Sequence, residues 1–241
     1  MLRKKIFRAN GKNSIRGNEL YRIEALSDAV FAFTVSLLIM SLEVPKTFTE
    51  LKHIMLQFFP FLATVSLVFF FWYLQNNYFR CYGLNDSKVI LFNLWLLVLI
   101  LFYVYPLKFL FSVLLGFAFH INYFEEVVTK GETVILQQEF PVLILFFSIG
   151  YAVIWFIFYS LYSYAYKLKQ KLELSGYERV VLQSQRRDAL MQLFIGLLSI
   201  LFAVLKLPVL SGVCFLLIPV WLLLNNFIEK SQMKTMNEHK P

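Results

Sequence analysis

The sequence predicts an all-α, polytopic membrane protein with six transmembrane helices. Hydrophobic residues occupy 59% of its 241 positions, whereas soluble proteins average about 45–50%. They are gathered into runs of about 20 residues, which is the length that a helix needs to cross a bilayer core. The polar stretches between these runs are too short to bury a core of their own. We therefore expect no separate soluble domain.

Six hydrophobic runs define the predicted spans, which cover residues 26–44, 54–79, 89–119, 140–166, 189–205 and 209–228. Pro106 leaves two alternatives for the third span, which either stops there or continues to residue 119 across a kink. The fifth and sixth spans are joined by a tight turn at residues 206–208.

The segments outside the spans are short and polar. Residues 1–21 form a basic tail before the transmembrane domain of residues 22–228, and residues 229–241 form a polar tail without predicted structure. The loop of residues 121–139 is acidic. The loop of residues 167–188 is basic and amphipathic, and we expect part of it to lie along the membrane surface.

Basic residues alternate along the chain in a way that predicts its orientation. Lys and Arg cluster in the N-terminal tail and in the loops after spans two and four, whereas the loops after spans one, three and five carry no such cluster. By the positive-inside rule this places both termini in the cytoplasm. The net charge of +8 is typical of loops beside anionic lipid, so we expect no nucleic-acid partner.

The sequence contains no recognisable catalytic or metal-binding pattern. Its three histidines, His53, His120 and His239, lie in loops or the tail and share no ligand spacing. No phosphate-binding loop, dinucleotide fingerprint or hydrolase motif is present. Cys81 and Cys214 form no Cys-x-x-Cys pair. We therefore predict no metal, no cofactor and no enzymatic activity.

Asp28 is the most informative residue, because it places a carboxylate just inside the first span. A charge in hydrocarbon costs about 2.5–3.5 kcal/mol on insertion scales, so Asp28 requires a partner. Arg22 precedes it by six positions, which corresponds to roughly 120° around a helix, so the two do not share a face. We expect Asp28 to be hydrogen-bonded near Trp72, Gln75 or Asn76.

The start of the first span also carries a family resemblance. Arg22, Leu26, Ser27 and Asp28 form an Arg-x-x-x-Leu-Ser-Asp motif, which resembles the Arg-x-x-x-Phe-Ser-Asp signature of the transmembrane protein 175 potassium channels. The similarity continues through residues 29–32 and from Leu37-Leu38 to residues 43–45. It extends to Trp72, Phe79 and Arg80, and to residues 93–94 and 105–108. Spans four to six agree with the family only in hydropathy and length.

Four positions depart from the family pattern. Leu26 replaces the usual Phe. Gln75 and Asn76 stand where the family usually has a pair of histidines, so a titratable pair is missing. Phe33 stands where the family prefers Ile or Leu, which puts a larger ring into the first span.

The resemblance implies a potassium-selective or weakly selective cation channel. Its prokaryotic members have one six-helix repeat per subunit, and four identical subunits surround a pore lined by their first helices. The implied partners are K⁺ and other monovalent cations, the lipid bilayer and three further copies of the chain. The implied location is the cell membrane.

Carried over by position, the pore constriction would be formed by Phe33, Leu37 and Met40, with Ser36 beside them. Their spacing of i, i+4 and i+7 forms one stripe on a helix. A second group of residues would form a structural network that holds the pore helix without binding the ion; its members are Arg22, Ser27, Asp28, Trp72, Gln75 and Asn76.

Several alternatives remain open from the sequence. Phe31, Val35, Leu38 and Leu42 form an equally good stripe, because the first span is apolar nearly all round. Arg22 could instead extend to the interface, and Ser27 could cap the helix. At the level of function, the alternatives are a secondary transporter, which usually shows discontinuous helices or inverted repeats, and a non-conducting scaffold.

Overall fold

The computed structural model describes residues 6–7, 14–15, 20–41, 44–119 and 139–238. Its helices are α1 (Arg22–Met40), α2 (Phe48–Tyr82), α3 (Ser87–Phe119), α4 (Phe140–Lys167), α5 (Gly176–Val204), α6 (Pro208–Val213) and α7 (Leu217–Glu238). A 3₁₀ turn, Cys214–Leu216, joins α6 to α7. Strand structure among these residues is limited to an antiparallel pairing of β1 (Ile6–Phe7) with β2 (Ser14–Ile15).

Within these residues, six segments are long and apolar enough to cross a membrane. They are α1 to α5 and a sixth segment, Val209–Met233, that includes most of α6, the 3₁₀ turn and most of α7. The predicted all-α, six-span fold is thereby confirmed, and the protein is a multi-pass membrane protein. The predicted acidic loop lies outside the described residues except for Glu139, as does nearly all of the N-terminal tail.

The chain divides into two compact units. The first, called here the α1 unit, contains Tyr21–Asn76 and, among the described residues, 97–119. The second, called the α5 unit, contains Asn77–Leu96 together with α4 to α7. Helices α2 and α3 therefore contribute one part of their length to each unit.

Helix α5 begins much earlier than the sequence prediction. The fifth span is predicted from residue 189, but the helix starts at Gly176. Ser175 and Glu178 form a capping box, in which Ser175 Oγ accepts from the Glu178 N–H at 3.3 Å and Glu178 Oε2 accepts from the Ser175 N–H at 2.8 Å. This reciprocal pair satisfies two backbone donors at the helix start. Residues 176–188 are therefore continuous with the span and do not form a separate surface segment.

The structure of α3 shows whether the third span stops at Pro106 or continues to residue 119. The helix continues through this proline to Phe119. Proline lacks the N–H that would bond to the carbonyl four residues earlier, and neighbouring groups in a membrane bundle tolerate this loss.

The last span differs from the prediction in two ways. A 3₁₀ turn interrupts it at Cys214–Leu216, just before Pro219, whose missing N–H removes the helical bond to the Phe215 carbonyl. Helix α7 then continues to Glu238, so the expectation of an unstructured tail from residue 229 is wrong over most of its length. The tail is rich in Glu, Lys, Gln and Met, which are favourable helix formers.

The turn predicted at residues 206–208 is present and has a defined geometry. Lys206 adopts a left-handed conformation with φ of 58°. The Lys206 N–H donates to the Ala203 carbonyl at 3.0 Å, and the Leu207 N–H donates to the Phe202 carbonyl at 2.9 Å. These are the two bonds of a Schellman motif, and Pro208 then begins α6.

The packing of α4 against α5 depends on a glycine. A Cβ atom added at Gly196 would lie 3.1 Å from Ala152 Cβ and 3.2 Å from Ala152 Cα. Small residues allow helices to approach closely in membranes, where apolar burial from water does not drive their association.

We expect Gly196→Val to destabilise the protein by about 1–3 kcal/mol, because the added atoms overpack the contact with α4. The measurement is the thermal unfolding midpoint in detergent. Gly212→Val is the matched control, because a Cβ at Gly212 would meet no atom within 4 Å. Equal midpoints for the two variants would contradict the proposed role of Gly196.

Candidate pore helix and its anchors

Helix α1 has one face packed on its own chain and an opposite face that is exposed. The packed face includes Ser27, Phe31, Thr34 and Leu38, with Phe31 2% exposed and Leu38 fully buried. The spacing of i, i+4, i+7 and i+11 places these residues along one side of the helix. The hydrophobic pattern of the sequence could not identify this side, because both sides are apolar.

The predicted pore residues lie on or beside the exposed face. Phe33 is 56% exposed and Met40 is 77% exposed, while Ser36 is exposed and Leu37 is half-buried. The Ser36 hydroxyl donates to the Ala32 carbonyl at 3.1 Å.

The alternative stripe lies largely on the packed face. Phe31 and Leu38 are buried, and Val35 is half-buried. Its fourth member, Leu42, lies outside the described residues.

A hydrogen bond between side chains joins α1 to α2. The Trp72 indole Nε1–H donates to Asp28 Oδ1 at 2.7 Å. A bond to an ionised acceptor is stronger than one between neutral groups, and it gives the intramembrane carboxylate a protein partner. The structure thus brings together two residues of the predicted network that are 44 positions apart in sequence.

The other network residues on α2 lie close to Trp72 along the same helix face. Gln75 is buried and Asn76 is half-buried, and they follow Trp72 by three and four positions, which is the spacing of neighbours on a helix surface. Arg22 is exposed in the first turn of α1.

Ser27 does not cap α1, which corrects the alternative role considered for it. The helix begins five positions earlier, at Arg22, and the Tyr21 N–H at its start is bonded by Glu24 Oε1 at 3.3 Å. Ser27 is buried, and its hydroxyl donates to the Ile23 carbonyl at 2.7 Å. A serine that bonds back to the preceding turn satisfies its polar group inside the helix.

A second anchor, which the sequence patterns did not predict, holds the other end of α1. The Tyr105 hydroxyl on α3 donates to the Leu37 carbonyl at 3.2 Å, and Lys108 Nζ donates to Ser41 Oγ at 2.8 Å. Ser41 Oγ in turn donates to the Leu38 carbonyl at 2.7 Å.

This second anchor lies at the end of α1, where the Leu38 carbonyl accepts from Ser41 Oγ and the Leu37 carbonyl accepts from both the Ser41 N–H and the Tyr105 hydroxyl. The last carbonyls of a helix have no intrahelical partner, and a cation near them interacts favourably with the helix dipole. Tyr105 and Lys108 are three positions apart on α3, which is the spacing of neighbours on a helix surface. A shared polar contact at these two residues could therefore be predicted from the sequence.

The geometry defines a membrane protein whose first helix is anchored at both ends by neighbouring helices. A solved structure described as a variant of the potassium channel MtTMEM175, in complex with a nanobody fusion protein, matches with a TM-score of 0.78 and 33% identity, covering 93% of this chain and 99% of that one. A lysosomal potassium-selective channel TMEM175 homolog from Chamaesiphon minutus matches with a TM-score of 0.53 and 19% identity, over 85% and 97% of the two chains. At that identity the second match shows the fold alone.

Sequence comparison identifies the family. A protein named potassium channel from Marivirga tractuosa is 33% identical over 240 residues, which is 95% of this chain and 96% of the relative. The family described as endosomal/lysosomal potassium channel TMEM175 matches residues 22–106, a range that contains Asp28, Trp72 and Tyr105. The chain belongs to the TMEM175 potassium channel family, as the motif at the start of the first span predicts, and this family is a class of ion channels, not of enzymes.

We expect Trp72→Phe to destabilise the protein by about 1–3 kcal/mol, because it leaves the Asp28 carboxylate without its indole donor. Trp95→Phe is the matched control, since Trp95 is 58% exposed on α3, and it should change the unfolding free energy by about 0.5 kcal/mol or less. The measurement is chemical or thermal unfolding of the purified protein in detergent.

A double-mutant cycle tests whether the effect passes through the hydrogen bond. In an Asp28→Ala background the indole has lost its acceptor, so Trp72→Phe should cost much less than it does in the wild type. An equal cost in both backgrounds would show that Trp72 contributes through packing alone.

Proposed function

We propose that the protein is a homotetrameric channel that conducts K⁺ across the cell membrane, with α1 of each subunit lining the pore. Membership of the TMEM175 family supports this activity, as do the potassium channels among its relatives. The main observation that supports α1 as the pore-lining helix is the difference between its two faces. One face is packed against its own chain, and the opposite face has exposed apolar side chains along a membrane span.

The burial of α1 favours the stripe of Phe33, Leu37 and Met40 over the alternative. A side chain that is buried within its own subunit, as Phe31 and Leu38 are, cannot also line an axis shared by four subunits unless the helix moves. Exposure is necessary for a pore residue but not sufficient, because lipid-facing side chains are exposed as well. The position of Phe33 and Met40 agrees with both the exposure and the family resemblance.

Four copies of this stripe would form three successive apolar rings. Such a constriction gates by dewetting, because water and hydrated ions leave a narrow apolar passage. The rings offer no oxygen ligands to an ion, so their width would decide which cation passes once it is partly dehydrated. In this proposal the family relationship, rather than the rings themselves, indicates a channel that is K⁺-selective or weakly selective among monovalent cations.

Ser36 supplies a polar group beside these rings. Its hydroxyl proton is used in the bond to the Ala32 carbonyl, so the lone pairs of Oγ remain available to accept. A serine in this state presents oxygen, not hydrogen, to a passing cation.

The anchors of α1 serve to position the pore helix. The Trp72 bond to Asp28 acts near its start, and the contacts of Tyr105 and Lys108 act near its end. A constriction of side chains depends on positions within about 0.5 Å, so two fixed ends support a reproducible pore width. In this proposal Asp28 is a structural residue and does not coordinate the ion.

The orientation of the protein follows from its charge distribution. The basic N-terminal tail and the basic loops after the second and fourth spans support an orientation with both termini in the cytoplasm.

The primary test is the reversal potential in reconstituted bilayers with K⁺ on one side and Na⁺ on the other. The wild type should shift toward the K⁺ equilibrium potential, and Leu37→Ala should weaken this shift because it widens the apolar ring. Ile39→Ala is the matched control. Ile39 is exposed on the same helix, and it lies roughly 160° around the helix axis from Leu37.

The possible results separate the channel from its proposed lining. A shift of the reversal potential toward K⁺ that is weakened by Leu37→Ala but not by Ile39→Ala supports both the channel function and the proposed pore lining. Selective current that neither variant alters would keep the channel and exclude the stripe. The absence of current from well-folded wild-type protein would contradict channel function, and slow, coupled flux would indicate a transporter.

We expect Asp28→Ala to reduce the yield of tetramer, because α1 loses its link to α2, while any tetramers that form keep their ion selectivity. Native mass spectrometry gives the subunit number, and the reversal potential gives the selectivity. A variant that assembles normally but has changed selectivity would instead place Asp28 in contact with the ion. A wild-type protein that is not a tetramer would contradict the proposed assembly.

A further inference from the structure

A cavity in the α5 unit is unrelated to the α1 stripe and carries a distinct chemistry. Its volume is about 410 Å³, and its lining residues come from the start of α3, the end of α4 and the first half of α5. The side chains that matter for its chemistry are Phe92, Tyr159, Ser163, Tyr164, Lys167 and Arg186. We propose that this cavity binds a phosphate group, as carried by an anionic phospholipid or by free phosphate.

Two cations give the cavity its positive character. Lys167 and Arg186 both line it. The Arg186 guanidinium carbon lies 4.3 Å from the Tyr166 ring centroid. A guanidinium stacked in this way keeps its N–H donors at its outer edge, where they match the oxygens of a phosphate.

Two further cations contact tyrosines in this region, although they do not line the cavity themselves. Lys169 Nζ lies 4.2 Å from the same Tyr166 ring, and Lys88 Nζ lies 5.8 Å from the Tyr164 ring. Several positive charges close to one cavity repel each other, so an anion between them lowers the electrostatic energy.

One carboxylate is also close, but it already has a protein partner. Asp86 Oδ2 accepts a hydrogen bond from the Tyr164 hydroxyl. This contact uses the Tyr164 proton, so Tyr164 offers its ring rather than a donor to the ligand. The positive charges of Lys88, Lys167 and Arg186 outnumber the single negative charge of Asp86, so the net charge of these four residues is positive.

A hydroxyl in the wall has no protein partner. Ser163 Oγ is buried and makes no hydrogen bond, although it belongs to a cavity-lining residue. Buried hydroxyls are normally bonded, and a phosphate oxygen in the cavity would be a suitable acceptor for this one.

The location of the cavity suits a lipid headgroup in particular. Tyr166 and Lys167 end α4, and aromatic residues followed by basic ones mark the membrane–water interface. Phe92 and Tyr159 add an apolar wall that can contact the glycerol part of a lipid. Lipid and free phosphate share the same phosphate chemistry, so the experiment includes both.

The test is native mass spectrometry of the full-length protein in detergent with added phosphatidylglycerol, and with phosphatidylcholine for comparison. Lys167→Gln combined with Arg186→Gln should weaken phosphatidylglycerol binding about tenfold or more, because two charge-assisted contacts are lost. Lys171→Gln combined with Lys230→Gln is the matched control; it removes two exposed charges of the same unit that do not line the cavity.

A second pair of variants keeps the test valid if the double variant misfolds. Lys167 is exposed, so Lys167→Gln should fold and lose part of the binding. Arg186→Lys keeps the charge and should retain more binding than Arg186→Gln. Elution volume and unfolding midpoint report whether each protein is folded.

Competition with inorganic phosphate separates the two sources. If inorganic phosphate displaces phosphatidylglycerol from the wild type only, the cavity binds phosphate groups from either source. If phosphatidylglycerol stays bound in the presence of phosphate, the cavity is specific for the lipid. Equal phosphatidylglycerol binding by the wild type, the folded cavity variants and the control would overturn the proposal. Because binding is measured directly, this result does not depend on whether the protein conducts K⁺.

Discussion

Hydrocarbon offers no hydrogen bonds, so every polar group within a membrane span must be satisfied by the protein. Most of the polar groups in the described spans meet this constraint in two ways, although Ser163 Oγ and Asn225 Oδ1 are buried without a partner. Single hydroxyls bond to the preceding turn of their own helix, as Ser27 and Thr34 do. Groups that cannot do so are bonded by another helix, as Asp28 is by Trp72.

The α5 unit follows the same rule with different residues. The Trp221 indole donates to Asp188 at 3.0 Å, which repeats the indole–carboxylate pairing found at Asp28. Ser148, Ser199 and Ser211 form a buried chain of hydroxyls, with Oγ–Oγ distances of 2.7 and 2.8 Å. These bonds tie α4, α5 and α6 together where apolar packing alone would leave their register weakly specified.

In α1, this constraint contributes to a difference between a packed face and an exposed face. Its packed face and its two anchors hold it to the surrounding chain, while Phe33 and Met40 on the opposite face are largely exposed among the described residues. A helix held in this way can present the same apolar side chains to a shared axis in each subunit. In the proposed channel, these anchors would therefore set the position of the pore lining.

Some of these anchors could be foreseen from the sequence and others could not. An intramembrane carboxylate demands a partner, so a bond from Asp28 to the region of Trp72 was a reasonable expectation. The start of α5 was also readable, because Ser175 and Glu178 have the spacing of a capping box, yet hydropathy alone placed the start of the span at residue 189. The contact of Lys108 with Ser41 joins residues 67 positions apart, and local pattern does not specify such pairs.

The sequence by itself determined the six spans and the family. The bilayer sets the length and apolarity of a span, and both are visible in the order of residues. The tertiary structure alone decided which side of α1 is packed. A helix that is apolar all round has no periodic signal, so only the contacts of Phe31 and Leu38 with the rest of the chain distinguish that side from the one bearing Phe33 and Met40.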